Sequence, residues 1–153
     1  MKVRFARSED RKQVLELLDE FGIVINKKIS YSRGNTEAQK VGGPIFNEII
    51  KRKDTMIFLA VEKGNIIGLA TFYLLPNIRH GWNRGHVEDF IVSEKMRRKG
   101  TGSKLMKSIK IYCRKNKIKV IKLDTALELK EAHRFYEKNG GKYTEKMYRF
   151  DIK

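Results

Sequence analysis

The sequence predicts one α+β domain built around a single twisted sheet. Three observations carry this. Two strand-like runs flank the turn signal Lys63-Gly64-Asn65, strand and helix patterns alternate from His86 onward, and 153 residues suit one domain. Residues 1–153 are therefore expected to form a single domain, with no linker, repeat or low-complexity segment. A hydrophobic content of 41% supplies a core, and a charged content of 34% is well mixed along the chain.

Val3 and Phe5 alternate with Arg4, which predicts a short first strand. Ser8, Glu9 and Asp10 suit a helix start, and Val14, Leu15, Leu17, Leu18 and Phe21 follow at helical spacing. Gly22 is expected to end that helix. Residues 23–43 read as a polar loop with helical pieces, and Ile45, Phe46, Ile49 and Ile50 predict a short helix. Met56 to Val61 and Ile66 to Leu75 form a hairpin closed by Pro76-Asn77, followed by a loop from His80 to Gly85. His86 to Val92 is the next strand. Leu105, Met106, Ile109, Tyr112 and Cys113 then mark an amphipathic helix. Val120 to Asp124 is a strand, Glu131 to Lys138 a helix stopped by Asn139-Gly140-Gly141, and Tyr143 to Ile152 a closing strand.

No run approaches the ~18 apolar residues of a membrane span, and the first residues carry no apolar core of a secretory signal. A lone cysteine, Cys113, cannot close an internal disulfide, which favours a reducing, cytoplasmic setting. The net charge of +16 fits a nucleic acid, an acidic macromolecule or a polyanionic small molecule as partner.

The stretch from Val87 to Leu105 runs from a strand through a basic turn into a helix. The first N–H groups of a helix lack intrahelical partners, and the dipole adds positive charge there, so this geometry binds phosphate. Gly100 and Gly102 allow close backbone approach, and Arg97, Arg98 and Lys99 add full charges. A P-loop would need Gly-Lys-Ser/Thr, but Ser103-Lys104 follows Gly102; a dinucleotide fingerprint would need glycine where Leu105 stands.

Arg97-Arg98-Lys99-Gly100-Thr101-Gly102 resembles instead the acetyl-CoA motif of the Gcn5-related N-acetyltransferase (GNAT) family, Gln/Arg-x-x-Gly-x-Gly/Ala. The run Ala132-His133-Arg134-Phe135-Tyr136-Glu137-Lys138-Asn139-Gly140 resembles the family's closing helix. The resemblance implies a mixed, mostly antiparallel sheet of six to seven strands flanked by about four helices. It implies an acetyl-CoA-dependent N-acetyltransferase acting on a primary amine by direct attack in a ternary complex. Phe90, Ile91 and Val92 would pair with the pantetheine arm, and the turn from Arg97 through Arg98, Lys99, Gly100, Thr101, Gly102 and Ser103 would wrap the pyrophosphate. Family analogy also allows a homodimer. Two positions depart from the pattern: Leu129 stands where many members carry a pantetheine-contacting asparagine, and Gly141 replaces a common aromatic.

At pH 7 only about one lysine-like amine in 10³ is neutral, a cost of roughly 4–5 kcal/mol, so a proton acceptor helps. The resemblance makes Glu88 the candidate base, with a surface ion pair as its plain alternative. Strand alternation turns Asp89 to the opposite face. Tyr136 matches the family's usual proton donor to the leaving thiolate; as a phenol it stays protonated at neutral pH. Cys113 belongs to the apolar stripe of its helix, and His80, His86 and His133 lack metal-ligand spacing. His80 and Trp82, and more weakly Tyr31, are candidates to line an acceptor pocket. Two other readings compete: a basic nucleic-acid-binding domain, and a catalytically silent acyl-CoA sensor.

Overall fold

A computed structural model describes residues 1–29 and 37–152. Its elements in chain order are β1 (Lys2–Phe5), α1 (Arg11–Asn26), α2 (Ala38–Val41), α3 (Gly43–Ile49), β2 (Thr55–Glu62), β3 (Asn65–Asn77), β4 (Trp82–Val92), α4 (Thr101–Lys115), β5 (Ile121–Leu123) and α5 (Lys130–Lys138). The sheet order is β1-β2-β3-β4-β5. Neighbours pair antiparallel except β4 and β5, which run parallel. No helix among the described residues is long and apolar enough to cross a membrane.

Strand alternation sends side chains to two apolar layers. Ile57, Leu59, Leu69 and Ile91 meet Val14 and Leu17 of α1 and Phe46 of α3. Phe58, Ala70, Phe72 and Val87 meet Leu105, Ile109 and Cys113 of α4 on the other face. Both faces of the sheet are thus covered. Gly85 is required beneath Phe72, whose ring occupies the space a Cβ would take.

The mixed sheet matches the expectation, but among the described residues it has five strands, not six or seven. Tyr143 to Ile152, expected as a strand, joins no sheet, and Tyr148, Phe150 and Ile152 of that tail are exposed. Gly22 does not end α1; it is buried inside a helix that continues to Asn26. Pro76 does not end β3 either. The Leu74 N–H bonds to the Asp54 carbonyl, so the N–H that Pro76 lacks belongs to the side where β2 has already run out. The expected loop before β4 shrinks to a single turn, Ile78–His80, closed by Gly81 at φ 65°, and β4 starts at Trp82. Tyr31 lies outside the described residues.

The start of α1 depends on a buried ion pair. Asp10, 5% exposed, receives two bonds from the Arg4 guanidinium at 2.6 and 2.7 Å and one from the Arg7 N–H at 2.7 Å. The Arg4 hydrogen bonds hold its carboxyl below the usual range against the opposing effect of burial.

Candidate active site

β4 is paired unevenly. On one side it follows β3 along its whole length, from Asn77↔Trp82 to Gly68↔Val92. On the other, β5 pairs only with Gly85, His86 and Val87. Beyond Val87 the β4 margin has no strand partner among the described residues, so Glu88 to Val92 border an opening in the sheet beyond the end of β5. Phe90, Ile91 and Val92 lie on that margin, as the sequence suggested. Their side chains also serve the core, since Ile91 is 2% exposed and Phe90 packs against the α4 layer.

The strand breaks its alternation at the same place. Ala70 pairs with Phe90 and Phe72 pairs with Val87, so Glu88 and Asp89 together oppose Thr71. This bulge overturns the expectation that Asp89 faces away from Glu88. Thr71 donates from Oγ1 to Asp89 Oδ2 at 2.9 Å. Burial pushes the Asp89 carboxyl up; the Thr71 bond partly opposes this, and the charge of Glu88 adds to it. Glu88 itself is exposed, and its carboxylate lies 3.1 Å from His86 Nε2. His86 Nδ1 is buried without a partner among the described residues. Tyr73, which pairs with His86 across the ladder, has its phenol pushed up by burial and then by Asp89 and Glu88. A short acidic patch with two flanking polar rings therefore borders the opening.

The basic turn forms the next wall. Arg98 and Gly100 both take left-handed backbone angles, φ 60° and 81°. α4 starts at Thr101, and its first intrahelical-type bond runs from the Lys104 N–H to the Gly100 carbonyl. The N–H groups of Arg98 through Ser103 donate to no partner among the described residues. Open space surrounds the position where Gly100 would carry a Cβ. Gly102 has a different reason to be glycine: a Cβ there would lie 3.0 Å from Phe135 Cε2. Close packing of α5 therefore favours glycine at that residue. Arg97 Nε donates to the Val92 carbonyl at 3.2 Å, tying the turn to β4. Arg98 reaches Glu131 of α5 at 3.0 Å, while Lys99 is exposed.

α5 closes the third side. The Phe90 ring lies 5.3 Å from Phe135 and 6.1 Å from Tyr136, centroid to centroid, so β4 and α5 meet through aromatic rings. The Tyr136 phenol is pushed up to about 12, first by burial and then by Asp124. Its hydroxyl donates to no described residue. The departures from the motif also have structural counterparts. Leu129 precedes α5; its N–H donates to the Ala126 carbonyl, its carbonyl accepts from the N–H groups of Ala132 and His133, and its side chain carries no polar group. Gly141 donates its N–H to the Tyr136 carbonyl at 2.8 Å, and a Cβ there would sit 3.0 Å from that oxygen. A side chain at 141 would crowd the end of α5.

The remaining candidates fall elsewhere. His80 and Trp82 stack with centroids 5.3 Å apart, but Trp82 is six residues from Glu88 along β4, about 20 Å in extended chain. Cys113 is buried in the α4 layer, with its thiol pushed up to about 11. His133 Nε2 lies 2.9 Å from the Ala126 carbonyl. Sequence reading missed Thr71 and Tyr73 because nothing in a hydrophobic pattern reports a bulge in the facing strand.

Comparisons with known proteins agree with this geometry. Residues 16–141 match the model of the acetyltransferase (GNAT) family. An aminoalkylphosphonate N-acetyltransferase from Salmonella typhimurium is 26% identical over 92 residues, covering 60% of this chain and 58% of that protein. The chain thus spans little more than half of that curated relative. A putative acetyltransferase from Agrobacterium tumefaciens superposes with a TM-score of 0.81 at 22% identity, covering 99% and 100% of the two chains. An aminoglycoside acetyltransferase from an uncultured soil metagenomic sample superposes with a TM-score of 0.77 at 17% identity, covering 99% and 95%. At such identities the structural likeness speaks for the fold alone. The family match extends over most of the chain and takes in both the half-paired strand and the turn at Gly100, and on that ground the protein belongs to the GNAT acetyltransferase family.

Proposed function

We propose that the protein is an acetyl-CoA-dependent N-acetyltransferase, formed by residues 1–153 as one domain, that acetylates a primary amine by direct attack in a ternary complex. The observation that carries the reading is the row of free N–H groups from Arg98 to Ser103 beside the unpaired β4 margin. Pyrophosphate needs several convergent donors, and a pantetheine arm needs an open strand edge. Arg97, Arg98, Lys99, Gly100, Thr101, Gly102 and Ser103 would hold the former, and Phe90, Ile91 and Val92 the latter. When bound, acetyl-CoA supplies a thioester-activated acetyl group: the amine nitrogen forms the amide bond as the carbon–sulfur bond breaks.

Glu88 is the group that takes the proton from the attacking amine, directly or through water. Its exposure and its contact with His86 hold the carboxylate at the margin and within reach of solvent. Asp89, turned to the same side, adds negative charge that favours an acceptor arriving as an ammonium ion. Tyr136 returns a proton to the departing sulfur, and its high pKa keeps the phenol protonated at neutral pH. Small amines and peptide amines both fit this scheme; the relatives' printed names denote an aminoalkylphosphonate and aminoglycosides as acceptors of those proteins. The lone buried Cys113 supports a cytoplasmic setting. The exposed apolar side chains of the 142–152 tail support a homodimer.

Tyr136→Phe tests the reading. Removing a general acid typically costs 10²–10⁴ in rate, so kcat should fall by about 10² or more. Acetyl-CoA affinity, measured by titration calorimetry, should change by less than about threefold, since the ring and its packing remain. Unchanged turnover would remove Tyr136 from the chemistry. Absence of saturable acetyl-CoA binding by the wild type would remove the acetyltransferase reading altogether.

A further inference from the structure

The net charge of +16 far exceeds what one coenzyme could use, and the excess is concentrated. Residues 95–123 contain twelve Lys or Arg and no Asp or Glu. Within that stretch Arg98 pairs with Glu131 and Lys122 with Glu145. Lys104, Lys107, Arg114, Lys115, Lys117 and Lys119 form no ion pair among the described residues, and all six are exposed. Lys104, Lys107, Ile111, Arg114 and Lys115 follow helical spacing, so four cations line one outward stripe of α4, opposite buried Leu105, Ile109 and Cys113. From Lys104 to Lys115 this ridge is about 16 Å long.

A shallow groove of about 240 Å³ runs beside the ridge, between α4 and β1. Its walls are largely apolar, with Phe5, Phe58, Ile111 and Tyr112, and Lys115 stands at its rim. Phe5 is 47% exposed although its ring is held by edge contacts to Phe58 at 4.9 Å and Tyr112 at 5.7 Å. A rigid aromatic next to a row of unpaired cations is the arrangement that binds single-stranded nucleic acid: phosphates follow the charges and an unpaired base stacks on the ring. A duplex would hide its base faces. A stable protein interface needs apolar anchors at its centre and is depleted in Lys, whereas this stripe offers Ile111 at 39% exposure among four cations. β1 is the sheet margin farthest from β5, so this surface is separate from the unpaired β4 margin at Glu88.

We propose that the outward stripe of α4 and the Phe5 groove bind single-stranded nucleic acid through its phosphates and one stacked base. The surface lacks a cluster of Asn or Gln to read base edges, so binding is sequence-tolerant. The proposal does not depend on the acetyltransferase reading.

Fluorescence anisotropy with a labelled 20-nucleotide uridine RNA, titrated at several NaCl concentrations, tests it. The wild type should bind saturably, and more tightly than it binds a 20-base-pair duplex. The triple variant Lys107→Glu/Arg114→Glu/Lys115→Glu should lose at least tenfold in affinity, and its slope of log K against log salt should shrink by about 2. Phe5→Ala should weaken RNA binding several-fold with the salt slope unchanged, because stacking releases no counterions. The control Lys12→Glu/Lys51→Glu/Lys53→Glu carries the same net charge as the triple variant and should bind nearly as the wild type does. Thermal melts check that each variant is folded. Equal loss in the control and the α4 variant would reduce the effect to diffuse charge and overturn the proposal. So would a duplex preference, insensitivity to Phe5→Ala, or equal affinity for a polyglutamate chain, which would mark an acidic protein as the partner.

Discussion

Asp89 combines a half-buried carboxyl with a single hydroxyl donor and a like charge next to it, and this sets its effect on stability. A carboxyl whose folded pKa is raised binds its proton more tightly in the native state than in the unfolded one. Its contribution to stability is greatest below the unfolded value near pH 4 and is lost as pH rises through the folded value. Asp89→Asn keeps an acceptor for the Thr71 hydroxyl and removes the ionisation. The variant should therefore melt a few degrees above the wild type at pH 7, and the gain should vanish toward pH 3.5; calorimetric scans across that range measure it. Gly102 makes a second case. Gly102→Val drives a branched side chain into the Phe135 ring and should cost about 1–3 kcal/mol in urea unfolding, with weaker acetyl-CoA binding because the aromatic wall shifts. At this scale the identities of Glu88, Tyr136 and the Arg97–Ser103 turn were legible from motif and context. The true neighbour of Asp89 was not, because one extra residue in β4 reverses the facing of the positions that follow it.

Among the elements, the most legible were those with a local cause. The Lys63-Gly64 turn, with φ 49° and 80°, forces the β2–β3 hairpin, and the apolar stripe from Leu105 to Cys113 forces α4. Errors fell where a local signal was overruled by tertiary packing. Gly22 has the character of a helix stop, yet it lies buried within α1, which continues to Asn26. Tyr143 to Ile152 has strand composition, but composition cannot supply a pairing partner. The entry to α1 rests on Asp10, whose carboxylate ties β1 to the first turn through Arg4 and the Arg7 N–H. Asp10→Ala breaks three charge-assisted bonds at once and should destabilise the protein by about 2 kcal/mol at pH 7. Because the folded pKa is depressed, this contribution is present above the unfolded value and fades as pH falls through the folded one. The variant and the wild type should thus converge in stability at strongly acidic pH, which denaturant titrations at pH 7 and pH 3 compare.

For the molecule as a whole, the two sheet faces divide the labour. One packs under α1 and α3, the other under α4, and the β4 bulge lies between them. The layered plan was readable from alternating patterns, while the strand count was not, since it depends on where the last residues find hydrogen bonds. The surplus charge was readable at once, but only the fold shows that it gathers along one helix. The half-paired β4 carries a cost in solution: peptide groups from Glu88 to Ile91 without a strand partner invite another molecule's strand to zip onto them. Saturating acetyl-CoA should then act as a stopper, raising the melting temperature and delaying the onset of light scattering on heating, so that preparations starved of nucleotide thioester clump first.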